Sequence, residues 1–401
     1  MGTHSSVAPE AALALALVAT RAQREANRST IAELASRADF RTLEALLRAQ
    51  GMLSLVGQRL LELTDQAPDE FVEHVRNYYG LAQRQGALQQ LITIRLTAAL
   101  VDAGIRVLPL KGPMLAERLY GRLGTRVSAD IDLLVGSDDL PRAIDALSVL
   151  GYKPAPRAST RPDLHACLRS TQADLPEVEL HWRVHGYEER FSAEMLQHAT
   201  SGRDGCLFPT VSDELIALLL FYARDGMVGL RLLADLTGWW DSFGSVLSAG
   251  EVDELVREYP PIIPGVATAA LTAKHLGGLP AEDLFEADIL SRASHSAIRL
   301  SNWCVRGRRS EIAANLFMID CLICPPDQWR ELVRRHLWRD DAALGDEWSD
   351  SGLSRSALMR ARILHLTRVS GRCLIALWRL RHDGEWARVP TDLNADGQDG
   401  E

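Results

Sequence analysis

Six residues, Asp130-Ile131-Asp132-Leu133-Leu134-Val135, limit the fold of this chain more than any other segment. Two carboxylates alternate with apolar residues and run into three more, the pattern of a strand. Side chains two apart on a strand share a face. Asp130 and Asp132 therefore project together, while Ile131 and Leu133 turn the other way into a core. A bland alternative is an exposed edge strand kept soluble by its acids. The stretch is too apolar for that, and a second β-rich run, Ile105–Leu110, stands just upstream.

Everything before that run has the helical period. Leu34, Leu43, Leu46, Leu47, Leu53, Val56, Leu60 and Leu61 recur at spacings of three, four and seven. After the break at Pro68-Asp69, a longer periodic stretch runs from about Phe71 to Ala103 and stops at Gly104. Past the first strand, Lys111-Gly112-Pro113 leads into a helix from Met114 to Tyr120, and a further helix ends near Leu150. Lys153–Pro162 reads as a loop, and Glu177–Val184 alternates like a half-buried strand. Beyond Phe191 the helical period returns and continues to about Leu380. The expected organisation is an N-terminal helical lobe (1–103), a small α/β core (104–190), a C-terminal helical region (191–382) and an acidic disordered tail (383–401), whose nineteen residues hold six acids against one Arg.

Composition narrows the function classes. The net charge is −9 over 401 residues, and no aromatic-rich basic patch is present, so a nucleic-acid partner is not expected. The longest apolar runs, Ala11–Ala19 and Leu215–Ala223, are too short for a transmembrane segment. No Lys or Arg precedes the first of them, which therefore does not read as a signal peptide. Six Cys in a chain this long read as buried thiols of a cytoplasmic protein, and Cys321-Leu322-Ile323-Cys324 has no second Cys pair to make a zinc site. Phosphate-binding GxxxxGK[ST], dinucleotide GxGxxG, HExxH and GxSxG motifs are all absent.

The chemistry-bearing residues are the acids. Adjacent carboxylates repel unless a cation lies between them. Mg²⁺ suits such a pair, since it prefers one or two carboxylates plus substrate phosphates. A third acid from a neighbouring strand would complete a two-metal clamp, and Glu179, on the alternating strand, is the candidate. Gly112 ahead of a helix N-terminus offers a place for a phosphate, and Lys111 adds a point charge. Arg126 lies four residues before Asp130, within reach of a triphosphate; its bland reading is a surface arginine. His181 and His185 would share a strand face with Glu179 and Arg183, where HxxxH gives only a weak zinc signal. Arg231 and Asp235 are spaced as an i, i+4 ion pair on a helix.

These residues resemble a known family. Leu110-Lys111-Gly112-x-x-Leu115-Ala116-x-x-Leu119-Tyr120, then Gly124-x-Arg126-x-x-x-Asp130-Ile131-Asp132-Leu133-Leu134-Val135, then Val178-Glu179-Leu180-His181-Trp182, are similar to the uncharacterised nucleotidyltransferase family of the polymerase-β-like superfamily. The resemblance implies an α+β fold, a small mixed-sheet polymerase-β-like core flanked by mainly helical regions. It implies transfer of a nucleoside monophosphate from an NTP, ATP being the abundant default, to an acceptor that the sequence leaves unidentified. Asp130, Asp132 and Glu179 would be the catalytic carboxylates holding Mg²⁺, two ions in all. Gly112 would contact phosphate, with Lys111, Arg126, Arg231 and Asp235 as further nucleotide contacts. Pro113 departs from the superfamily's usual Gly-Ser or Gly-Gly turn and has no N–H to offer. Two other readings are an ATP-dependent phosphotransferase tailoring enzyme and a non-catalytic helical scaffold that binds a partner protein. From Ser354 to His382 there are seven Arg and no acid, a basic helix suited to an anionic surface or, more blandly, a packed helix with a solvated face.

Overall fold

The computed structural model describes residues 8–155, 164–202, 205–247, 250–301 and 309–330, with isolated positions 332, 359, 360, 363, 367, 371 and 374. The acidic tail, most of the basic 354–382 segment, Cys304, Cys373 and the loop beyond Ala155 lie outside the described residues.

Among the described residues, six helices precede the sheet: α1 (Pro9–Val18), α2 (Arg21–Ala26), α3 (Arg28–Arg37), α4 (Phe40–Ala49), α5 (Leu53–Leu63) and the long α6 (Asp69–Asp102). Asp69 and Glu70 put negative charge in the first turn of α6, where the helix dipole favours it. Its end is built by Gly104, at φ +71. The Gly104 N–H donates to Val101 and the Ile105 N–H to Leu100, the paired bonds of a Schellman stop. The expected boundaries at Phe71 and Ala103 are met within two residues.

A mixed five-stranded sheet follows: β1 (Val107–Pro109), α7 (Pro113–Tyr120), β2 (Asp130–Val135), α8 (Leu140–Val149), β3 (Tyr152–Pro154), β4 (His165–Ser170) and β5 (Glu177–His181). Strand order is β1-β2-β5-β4-β3, with β2 and β5 parallel and the other pairs antiparallel. Lys153 and Pro154, read from sequence as the start of a loop, instead belong to the edge strand β3. Strand β4 has no counterpart in the sequence reading either. β5 stops at His181, three residues before the expected end.

The two faces of the sheet differ. Ile131, Leu133 and Val135 of β2 join Val178, Leu180 and Leu168 against Leu96 and Leu100 of α6 and Ala143 and Leu147 of α8. Each such side chain contributes about 1.5–3 kcal/mol on burial, so this face fixes the register of β2. The opposite face carries the acids.

The chain continues through α9 (Arg190–His198), the small β6 (Thr200–Ser201) and β7 (Leu207–Phe208) hairpin, α10 (Val211–Arg224), α11 (Leu230–Phe243), α12 (Glu251–Arg257), α13 (Ile263–Gly277), α14 (Ala281–Leu284), α15 (Ala287–Leu290), α16 (His295–Ser301) and α17 (Arg309–Ile323). Helices from the two ends of the sequence share one core, in which Leu13 and Leu17 of α1 lie with Trp239 of α11 and Ala270 of α13. Polar bonds stitch them as well: the Thr237 hydroxyl donates to Val18 O at 2.6 Å, and the Thr20 N–H to Gly277 O at 2.8 Å. Among the described residues, no helix is long and apolar enough to cross a membrane.

Candidate active site

The site is built by strand register. Asp132 pairs with Glu179 across the parallel β2–β5 ladder, and Asp130 with Glu177. Across the antiparallel β4–β5 ladder, Cys167 pairs with Glu179 and His165 with His181. Directly opposed residues share a face, so Asp130, Asp132, Glu179, His181, His165 and Cys167 all stand on the side away from α6 and α8. Carboxylate oxygens of Asp130, Asp132 and Glu179 come within 4.8 Å of one another. Glu177 is on the same face but is held by Arg169 at 2.6 Å.

Asp132 is the buried centre of the cluster. Its Oδ1 is 2.9 Å from His181 Nε2 and 3.3 Å from Lys111 Nζ. Burial alone would raise this carboxyl, but Lys111 and then the His181 hydrogen bond outweigh it and hold Asp132 well below the usual carboxylate range. Asp130, half-buried, goes the other way: burial and then the charge of Asp132 push it up, against Lys111. Its Oδ1 accepts from the Ser128 hydroxyl at 3.0 Å. Glu179, with 23% of its side chain exposed, sits 3.2 Å from His181 Nε2. Burial raises Glu179, and the His181 hydrogen bond overcomes it, so the group stays ionised. The face thus has a fixed buried anion between two carboxylates that reach solvent.

A divalent cation fits this donor set. All three groups are carboxylates, their oxygens already converge, and the repulsion that, after burial, raises Asp130 is what a cation would relieve.

Lys111 lies between β1 and α7 with its ammonium 4.3 Å from the Phe221 ring centroid, a cation–π contact. The Leu110 N–H donates to Asp132 O at 3.0 Å, which fixes the Lys111-Gly112 turn beside the carboxylates. Gly112 has φ +74 and ψ −146, a conformation that L side chains avoid, and it caps α7. Because Pro113 has no N–H, the first-turn donors of α7 are those of Met114 and Leu115.

Arg126 is not the surface residue of the bland reading. Its Nε is 3.0 and 2.9 Å from the two oxygens of Asp235, in a pair whose side chains are 5% and 1% exposed. Asp235 therefore pairs with Arg126 rather than with Arg231, as helical spacing suggested. Arg231 is exposed and donates from Nη1 to Val127 O at 3.3 Å. Helix α6 grips the same segment, where Gln89 Nε2 donates to Ser128 O at 2.8 Å. Residues 126–128 are thus clamped between α6 and α11, and through Ser128 the clamp reaches Asp130.

His185 does not join Glu179. It lies beyond the end of β5, where its Nδ1 accepts from the Tyr187 N–H at 3.3 Å. His165, from β4, takes the place beside His181, with Nε2 3.6 Å from Glu179 Oε1. Burial and then the neighbouring His181 push His165 down to about 4, so it is neutral at pH 7. Sequence reasoning also missed Cys167, Phe221 and Arg224, whose guanidinium lies 4.7 Å from the Phe221 ring centroid and whose charge helps to hold Asp132 low. The His165-Ala166-Cys167-Leu168 alternation was the available signal for β4. Phe221 and Arg224 sit three apart on α10 and carry no motif.

The family described as "Uncharacterised nucleotidyltransferase" matches residues 36–263, more than half of the chain. Among solved structures, the chain is similar to the antibiotic-resistance factor ANT(2'')-Ia in solution, at 16% identity over 43% of this chain and 90% of that one. The TM-score is 0.30, at which the likeness carries no argument. No curated protein matches the chain.

Proposed function

The chain belongs to the uncharacterised nucleotidyltransferase family, and from that premise we propose a Mg²⁺-dependent enzyme that moves a nucleoside monophosphate, AMP from ATP by default, onto a hydroxyl or similar acceptor. The acceptor class is a small molecule, a peptide or a protein side chain, and pyrophosphate leaves. The observation that carries this reading is the meeting of Asp130, Asp132 and Glu179 on one sheet face through the Asp132–Glu179 register.

These three carboxylates would hold the metal, which when bound neutralises phosphate charge and makes an acceptor hydroxyl more acidic. The chain's own residues do the rest. Asp132, held ionised by Lys111 and His181, is the fixed anchor. Asp130 and Glu179, both reaching solvent, are the two that a ligand can approach. Lys111 supplies a cation at the rim, and Met114 and Leu115 supply N–H groups at the start of α7 for phosphate oxygens. Arg126 uses Nε on Asp235, and its Nη1 is buried with no partner among the described residues, so its charge rather than an exposed donor is what it offers the nucleotide. Asp235 and Arg231 serve by holding residues 126–128, which position Asp130. Catalysis on this reading comes from positioning and charge rather than a covalent intermediate.

The test is incubation with each α-labelled and γ-labelled NTP and Mg²⁺ over an acceptor panel. The expected result is transfer of the α label, lost about 100-fold or more in Asp130→Asn, Asp132→Asn or Glu179→Gln. Transfer of the γ label instead would make the enzyme a phosphotransferase. Transfer that survives Asp130→Ala plus Asp132→Ala would remove these acids from the chemistry.

A further inference from the structure

Beyond the carboxylate trio, the same sheet face holds a second donor set of different chemistry. His165 Nε2 is 3.6 Å from Glu179 Oε1, and His181 Nε2 is 3.2 Å from Glu179 Oε2, so two imidazoles flank one carboxylate. The ligand atoms of all three lie within 4.8 Å of one another. The rings stand with centroids 4.8 Å apart on adjacent strands, fixed by the His165–His181 register pair. Both histidine side chains are nearly or fully buried, at 7% and 0% exposed, whereas Glu179 opens to solvent at 23%.

We propose that His165, Glu179 and His181 form a second metal site, for a zinc-class divalent cation, sharing Glu179 with the carboxylate trio. Two imidazoles and a carboxylate are a donor set that zinc uses with its fourth position open, whereas Mg²⁺ prefers oxygen alone. Zinc–nitrogen and zinc–oxygen bonds near 2.0–2.2 Å place ligand atoms roughly 3.3 Å apart in a tetrahedron. The two imidazole-to-carboxylate distances already approach that, and a small turn of Glu179 closes the set. His181 gives up its hydrogen bond to Asp132 on ligating through Nε2, and Asp132 keeps Lys111. The Nδ1 of His181 is buried with no partner among the described residues, so this ligand lacks the outer brace that tightens many zinc sites. The binding expected is therefore measurable but not extreme.

This site does not depend on nucleotidyl transfer, and its test uses no nucleotide. The full chain, stripped with chelator, is titrated with Co²⁺ alone and followed by visible absorption and by proton NMR of shifted imidazole N–H resonances. The expected result is a first, tighter equivalent of cobalt with resonances from two histidines, any further cobalt on the carboxylate trio adding no imidazole resonance. His165→Asn and His181→Asn should each weaken binding about tenfold or more, and Asp130→Asn much less. Far-UV circular dichroism checks that each variant is folded, and His165→Gln is the larger replacement if His165→Asn is not. The wild-type NMR spectrum decides the matter even if every variant fails. Cobalt without imidazole resonances, no cobalt at all, or an Asp130→Asn loss equal to that of His165→Asn overturns the proposal. Loss of nucleotidyl transfer with cobalt binding intact would instead count against the proposed reaction alone.

Discussion

The Arg126–Asp235 pair gives the sharpest quantitative expectation. Asp235→Asn keeps the shape of the side chain and removes its charge, leaving a guanidinium buried with a neutral partner. Both side chains are at most 5% exposed, and the Nε contacts are 3.0 and 2.9 Å. Burial by itself lowers Arg126, and Asp235 more than restores it, so Arg126 is cationic at every working pH and cannot escape the cost by losing its proton. Breaking one side of such a buried pair costs about 3–5 kcal/mol. Urea unfolding followed by far-UV circular dichroism and by tryptophan fluorescence measures it, Trp239, one helical turn along α11, being one of the nine tryptophans that report. Coincident transitions by the two probes are required before the midpoints become free energies. Arg126→Met plus Asp235→Leu should recover most of the loss, because apolar side chains of similar size remove the desolvation as well as the attraction. If Asp235→Asn lies within about 1 kcal/mol of wild type, or the double variant is no better than the single one, the clamp on residues 126–128 is not electrostatic.

Other expectations follow from single residues. Glu214 of α10 is pushed up to about 7, by burial first and against Arg118 at 3.2 Å. A raised carboxyl favours the folded state only while protonated. Its cost is therefore absent below pH 4.5, accumulates toward pH 7 and is constant above. Relative to Glu214→Gln, wild type should lose up to about 3 kcal/mol between those pH values in a urea series. Gly112→Ala meets no atom within 4 Å, so its cost is backbone strain alone, about 1–3 kcal/mol by thermal melting. Leu133→Ala, fully buried between the sheet and α6 and α8, should cost about 2–5 kcal/mol in the same assay. Burial and then Glu179 push the Cys167 thiol up to about 12. Mass spectrometry of native protein treated with iodoacetamide at pH 8 should find Cys167 unmodified.

Which parts of the molecule can be read from its sequence depends on the range of the signal. The period change at Ile105, the β2 strand and the stop of α6 at Gly104 rest on local patterns within a few residues, and the structure has them. The meeting of Asp132 with Glu179 needed only the expectation that two strands pair, since alternation had already put each acid opposite a core residue. What stayed hidden depends on partners far apart in the chain. Nothing in Arg126 announces that Asp235, 109 residues later, will take its Nε, while the i, i+4 spacing of Arg231 and Asp235 points to the wrong pair. β4 follows a Pro- and Arg-rich segment and acquires its regularity from β5.

The histidines show why this matters for chemistry. From the sequence, His185 is the natural companion of His181, because both would lie on one continuous strand. β5 ends at His181, however, and the chain turns so that the Val184 N–H donates to Glu188 Oε1 and to the Ser192 hydroxyl, at 3.0 and 2.8 Å. That turn withdraws His185 from the sheet face. The position it leaves is occupied across the ladder by His165, whose backbone is placed by an antiparallel register that no local pattern encodes. A face assembled from three strands is therefore specified twice over. The acids are written in the alternation of each strand, whereas their nitrogen neighbours are set by pairing, and the same Glu179 carboxylate belongs to both.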